Sequence, residues 1–286
     1  MKTEIGVTGL AFLFFLTVMG SAEAQSYSES QYGHPWLQIE ARAMSQYVWR
    51  GFDMYPNDKS AYRFSGQMVW PDTGLGAELV SIRSFASGFE SQEEFKVRLF
   101  KQGVWENAMF LPIDYRMGWT YHGYPEEPRG GSVSAQVGPM QEIFFEFLGS
   151  PIAELWPRWH YEAFAIWPSE GDSVRSANAG WGHIIGLVYD MEIPGWNAST
   201  PETTLQLSAD LAYNDGWAPG NYNGATVDHD WSHMLFGAST DIVLLPDIVG
   251  FQVTLTPSVY TQLSMDDSVN SGNEFWATLN LQIGFE

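Results

Sequence analysis

Leu37-Gln38-Ile39-Glu40-Ala41-Arg42-Ala43, near one end, and Ala277-Thr278-Leu279-Asn280-Leu281-Gln282-Ile283-Gly284-Phe285, at the other, decide the fold. In both, apolar and polar side chains alternate, and a period of two places them on opposite faces of an extended strand. The same alternation returns between them. Tyr62, Phe64, Met68 and Trp70 oppose Arg63, Ser65 and Gln67, and Phe95, Val97 and Leu99 oppose Glu94, Lys96 and Arg98. Ile113, Tyr115, Met117 and Trp119 oppose Asp114, Arg116 and Thr120. Leu205 to Tyr213 and Phe251 to Val259 continue the pattern.

Alternation alone marks an antiparallel β-protein with one face in an apolar medium and one in a polar medium. Two further features select among such proteins. Many segments run about ten residues, the length a tilted strand needs to cross a bilayer. Aromatic residues sit at their ends, as in Tyr47/Trp49, Trp70, Trp119/Tyr121, Trp159 and Trp167, where a membrane barrel carries its interfacial girdles.

Twelve strands follow, over 37–50, 61–70, 75–83, 93–102, 109–121, 140–148, 157–167, 182–193, 203–214, 232–243, 249–264 and 274–285. Alternation is poor in the third, sixth, eighth and tenth, and 140–148 also reads as a short helix. Connections after odd-numbered strands are long and polar, whereas those after even-numbered strands are short and marked by Pro71, Pro151, Pro194 and Pro246. Long outer loops alternating with short periplasmic turns belong to an outer-membrane barrel with both termini in the periplasm. The expected fold is therefore all-β, a transmembrane antiparallel up-and-down β-barrel of about 12 strands.

Lys2, the apolar run Ile5 to Met19 and Ala22-Glu23-Ala24 have the layout of a secretory signal peptide over 1–24, leaving 25–286 as a single barrel domain exported through the periplasm. The run is short for a helical span. The chain has no cysteine, which rules out a disulfide framework and an acylated N-terminal Cys. A formal net charge of −21 argues against nucleic acid as a partner.

Ser45-Gln46-Tyr47-Val48-Trp49-Arg50-Gly51 resembles the Ser-x-Tyr-Val-aromatic-Arg-Gly motif of an uncharacterised porin-like family of Gram-negative outer-membrane proteins. Trp276 to Phe285 resembles the C-terminal signal by which such barrels are recognised for insertion, although here Glu286 follows the terminal aromatic residue. The resemblance implies a barrel, a channel role and the barrel-assembly machinery as a partner during insertion. It names no substrate.

Charge is unevenly divided. Residues 25–116 hold 9 Lys+Arg and 11 Asp+Glu, whereas 117–286 hold 3 and 21. On the inward parity, Arg42, Arg50, Arg63, Lys96, Arg98 and Arg116 fall on the first five strands, and Glu142, Glu146, Glu162, Asp190, Asp210 and Asp241 on the later ones. These twelve are the expected pore-lining residues, with the two groups facing each other across the lumen. A field across an aqueous pore orients dipolar solutes, and the acidic surplus favours cations. Interior ion pairing that merely fills the barrel is the competing reading.

No nucleophile elbow, H-E-x-x-H or phosphate-binding loop is present. His183, His229 and His233 are the histidines to weigh for an enzyme acting on outer-membrane lipid. His229 and His233 are metal-ligand types at close spacing, but they sit at a loop-to-strand junction, where i and i+4 share a face only if the loop is helical. Trp217, Tyr222 and Trp231 lie in the fifth long loop, off the girdle parity, where rings are able to meet a ligand. The expected function is an outer-membrane pore for passive diffusion of small hydrophilic solutes, with a cation preference and with lipid outside. No catalytic residue, metal or cofactor is expected. The alternatives are a lipid-modifying enzyme and a closed scaffold or surface-binding barrel.

Overall fold

The computed structural model describes residues 36–55, 59–90, 93–106, 111–125, 139–151, 156–169, 178–193, 203–219, 227–245 and 250–285. The expected signal peptide lies outside the described residues.

Twelve strands make the wall: β1 (Leu37–Met44), β2 (Ala61–Trp70), β3 (Leu75–Ser84), β4 (Glu94–Trp105), β5 (Ile113–Gly123) and β6 (Met140–Gly149), then β7 (Arg158–Pro168), β8 (Gly180–Ile193), β9 (Thr203–Asp215), β10 (His229–Thr240, continued by Ile242–Leu245), β11 (Phe251–Ser264) and β12 (Glu274–Phe285). Each pairs antiparallel with its sequence neighbour. The sheet closes where β1 meets β12, with Leu37 opposite Phe285 and Met44 opposite Thr278. Closure removes both free edges, so every strand has a partner on each side. The 140–149 segment is a strand, and no α-helix occurs among the described residues.

Local chemistry explains the irregular points. The tight turn between β2 and β3 needs Gly74, whose φ is +67° and where a Cβ would lie 2.1 Å from the carbonyl oxygen of Gln102. The β10 ladder breaks at Asp241, beside the point where Pro257 of β11 has no N–H to give. The Asp241 carboxylate turns to the Thr256 hydroxyl, which donates to it at 2.5 Å. A bulge at Ser232 switches the parity of β10: Tyr213 lies opposite Trp231, but Ala212 opposite His233.

The two faces have opposite chemistry. Ile39, Phe64, Leu79, Leu99, Ile143, Ile185, Val259 and Leu279 are exposed on the outside all round the wall. Glu40, Arg63, Glu78, Lys96, Arg116, Glu142 and Asp210 are buried inside. Soluble proteins are arranged the other way round.

The first strand ends six residues earlier than its alternation predicts. Ser45 still donates from its backbone N–H to the Ala277 carbonyl at 2.9 Å, and then the chain leaves the wall and folds into the lumen. Tyr47 and Trp49, expected among the outer girdle, are buried inside. Alternation persists through this turn inward, because a lumenal hairpin also has two faces in different surroundings.

Candidate functional site in the barrel lumen

Residues 45–55 form a hairpin that is separate from the barrel sheet. Val48–Trp49 pairs with Phe52–Asp53 alone, and Arg50-Gly51 forms the tip. Both tip residues have positive φ, +49° and +97°, as a two-residue type I′ turn requires. At Gly51 a Cβ would meet the His233 ring at 2.7 Å and Val269 at 2.9 Å. Its carbonyl accepts from Gln262 Nε2 of β11 at 3.0 Å. One side of the tip is thus seated on β10 and β11.

The opposite side of the tip reaches the far wall. Arg50 Nη1 donates to Glu142 Oε2 at 2.7 Å, and Nη2 donates to Glu142 Oε1 at 3.1 Å and to Glu162 Oε1 at 2.5 Å. The guanidinium carbon lies 3.5 Å from the centroid of the Phe164 ring. A planar fork meeting one carboxylate bidentately and a second one laterally, over an aromatic face, is the geometry guanidinium favours over ammonium. Contacts continue round the lumen: Trp49 against His122 and Trp217, Phe52 against Trp217, and Tyr47 donating to Glu94 at 2.9 Å. Burial, then the nearby Glu94 charge, raises the Tyr55 phenol well above its ordinary range, so it stays neutral.

Beside the hairpin a cavity of about 40 Å³ remains, lined by Arg42, Arg63, Gln262 and Trp276 among others.

A second hub lies on β3. Glu78 accepts from Arg63 at 2.9 Å, with Arg116 at 3.6 Å and Arg98 at 3.7 Å. Glu40 of β1 pairs with Arg42 at 3.2 Å and lies 3.8 Å from Arg63. Arg116 also donates to Gln67 at 2.8 Å. Register makes the cluster local: Glu78 lies opposite Arg98 on β4 and Gln67 on β2. Between the hubs runs a chain of side chains. Lys96 lies 3.5 Å from Glu94, and His122 bridges Glu94 (Nδ1 to Oε1, 2.7 Å) and Glu142 (Nε2 to Oε2, 3.2 Å).

Ten of the twelve expected residues are on barrel strands; Asp241 falls at the break in β10 and Arg50 is on the hairpin. Asp190 binds Arg158 at 2.7 Å and Asp210 binds His160 at 2.5 Å. Glu146 stands in register with Arg116 on one side and Glu162 on the other. Glu40, Glu78, Glu94, His122 and His160 were missed, although alternation places them inward. Counting net charge by chain half hid the acids inside the more basic half.

The other readings change too. The Ser232 bulge puts His229 and His233 on opposite faces: His229 sits outside with Asp215 at 2.6 Å, and His233 is buried behind Gly51. His183 faces outward and bonds Tyr161 at 2.8 Å. Ser232 and His233 touch, Oγ to Nδ1 at 2.9 Å, but both are buried, out of reach of a lipid ester. Trp217 is packed under the hairpin rather than displayed, Trp231 is exposed, and Tyr222 lies outside the described residues. No cluster of three metal-ligand side chains occurs among the described residues.

No family model and no curated protein matches the sequence. Among solved structures, the NanC porin is 9% identical with a TM-score of 0.46, over 87% of this chain and 99% of that one. An outer membrane channel from Pseudomonas putida F1 is 12% identical with a TM-score of 0.49, over 92% of this chain and 99% of that one. The Acinetobacter baumannii outer membrane protein Omp33 is 8% identical with a TM-score of 0.35, over 89% and 100%.

Proposed function

We propose that this chain is an outer-membrane channel through which small hydrophilic solutes diffuse, with a preference for cations. One observation carries the reading: a closed barrel whose outer face is apolar all round and whose inner face is buried charge. An apolar belt of this kind is stable against lipid, where an Arg or Lys at mid-depth costs about 2–4 kcal/mol. Charge inside is tolerated because the lumen is wet or internally paired. Exterior contacts are then with outer-membrane lipid, reached through the periplasm with the help of the barrel-assembly machinery. The cation preference rests on the acidic surplus of β6 to β10, where Glu142, Glu146, Glu162, Asp190, Asp210 and Asp241 line the path.

A passive role fits a lumen in which these side chains are engaged in ion pairs and hydrogen bonds rather than poised as an acid, base and nucleophile. A closed barrel is the second reading, favoured by the hairpin seated across the lumen. Planar-bilayer recording of the refolded protein separates the two. Conductance steps, with a reversal potential of cationic sign in a salt gradient, are expected. Silence from the wild type and from a variant lacking residues 46–54 would overturn the channel.

A further inference from the structure

We propose that the 45–55 hairpin is a gate, latched by Arg50 in a cation receptor made of Glu142, Glu162 and Phe164, and that small guanidinium solutes open it by competing for that receptor. This rests on the channel reading for the word gate; the receptor itself does not.

Three observations carry it. First, beyond Ser45 the hairpin is a separate two-stranded element, so moving 46–55 breaks no backbone hydrogen bond of the barrel ladder. Second, what holds its tip to the far wall is a site complementary to a ligand class. Glu142 takes the fork through two oxygens, Glu162 takes it laterally and Phe164 supplies the face. The receptor belongs to β6 and β7, whereas its occupant arrives from a different element 92 residues earlier in the chain. A free guanidinium ion presents the same fork without the hairpin attached. Third, the hairpin crosses the lumen, with Gly51 held by Gln262 of β11 and Arg50 by β6 and β7, so it stands in the path of a solute.

The energetics favour competition. Removing Arg50 takes the guanidinium away from two carboxylates, leaving Glu142 with His122, and an incoming cation restores the lost partner. Guanidinium fits better than ammonium or sodium, because the fork and the ring face together select a planar, weakly hydrated cation. In the wild type, an added guanidinium solute shifts the hairpin outward by mass action. In an Arg50→Ala chain the receptor is vacant and the solute fills it.

The test uses the full barrel, with folding checked by its faster migration before heating in detergent gels. Arg50→Ala is expected to raise single-channel conductance about threefold or more, and Arg50→Lys less, because it keeps the charge and loses the fork. Glu142→Gln with Glu162→Gln opens the same path while leaving the hairpin sequence intact. Methylguanidinium chloride at about 10 mM should raise the open probability of the wild type more than sodium chloride at equal ionic strength, and the double Gln variant should not respond. Wild-type and R50A conductances that are equal overturn the gate. Independently of any current, methylguanidinium should raise the thermal unfolding midpoint of R50A in detergent, and that shift should vanish when Glu142 and Glu162 are also replaced. If R50A shows no shift, or one that sodium reproduces, the receptor is wrong. Silence in bilayers with a selective shift in detergent removes the channel and keeps the receptor.

Discussion

Glu78 and Arg50 are mirror images inside one barrel. At Glu78 a single carboxylate is shared among Arg63, Arg98 and Arg116, supplied by β2, β4 and β5 of the same wall. At Arg50 a single guanidinium is shared between Glu142 and Glu162, and it is brought in by a hairpin that crosses the lumen. The first hub is part of the scaffold, whereas the second is a removable contact. The comparison shows that charge balance on the β1–β5 wall is local, and that on the β6–β7 wall it is imported.

If so, the two hubs respond differently to the loss of their central partners. Glu78→Ala leaves Arg63, Arg98 and Arg116 without their shared acid. It should destabilise the barrel by about 3–5 kcal/mol, read from urea unfolding in detergent or from lost heat-modifiable mobility. Glu142→Ala should cost less, about 2–3 kcal/mol, because Arg50 keeps Glu162. Equal losses in the two variants would end the distinction between scaffold and latch. Replacing Glu142 and Glu162 together should cost more than the sum of the single changes, since each is the other's reserve.

A milder perturbation works through the backbone. Gly51→Ala places a methyl group against His233 and Val269 at positive φ, at a cost of about 1–2 kcal/mol. Because the strain falls on the hairpin, conductance should rise while barrel unfolding stays near that of the wild type. The smallest effect concerns selectivity. Glu146→Gln, on the acidic wall beside the hub, should move the reversal potential in a salt gradient slightly toward anions and leave stability nearly unchanged. A larger shift from the same change at Glu78 would place the filter on the wrong wall.

Much of this was legible in the chain. Strict alternation in Leu37–Ala43 and Ala277–Phe285 gave both the strand character and the faces, and the same period elsewhere put Arg63, Lys96, Arg98 and Asp210 inside. The rhythm of long and short connections pointed to an outer-membrane barrel rather than a soluble β-protein. The hairpin was not legible, because Gln46, Tyr47, Val48, Trp49 and Arg50 continue the same period and read as more wall. Gly51 was its one local sign, a residue suited to positive φ yet also compatible with the end of a strand, whereas Arg50 takes positive φ against its own preference. The charge division suggested two opposed walls. Glu40, Glu78 and Glu94 instead neutralise much of the first wall in place.

What the sequence determined by itself is the partition between inside and outside, since a period of two is fixed by neighbouring residues and needs no knowledge of the rest of the chain. Only the tertiary structure decided which charges meet. The pairing of Arg50 with Glu142 spans 92 residues and exists only because the sheet closes and the hairpin turns inward. Both events depend on packing between distant segments, of which a local pattern holds no record.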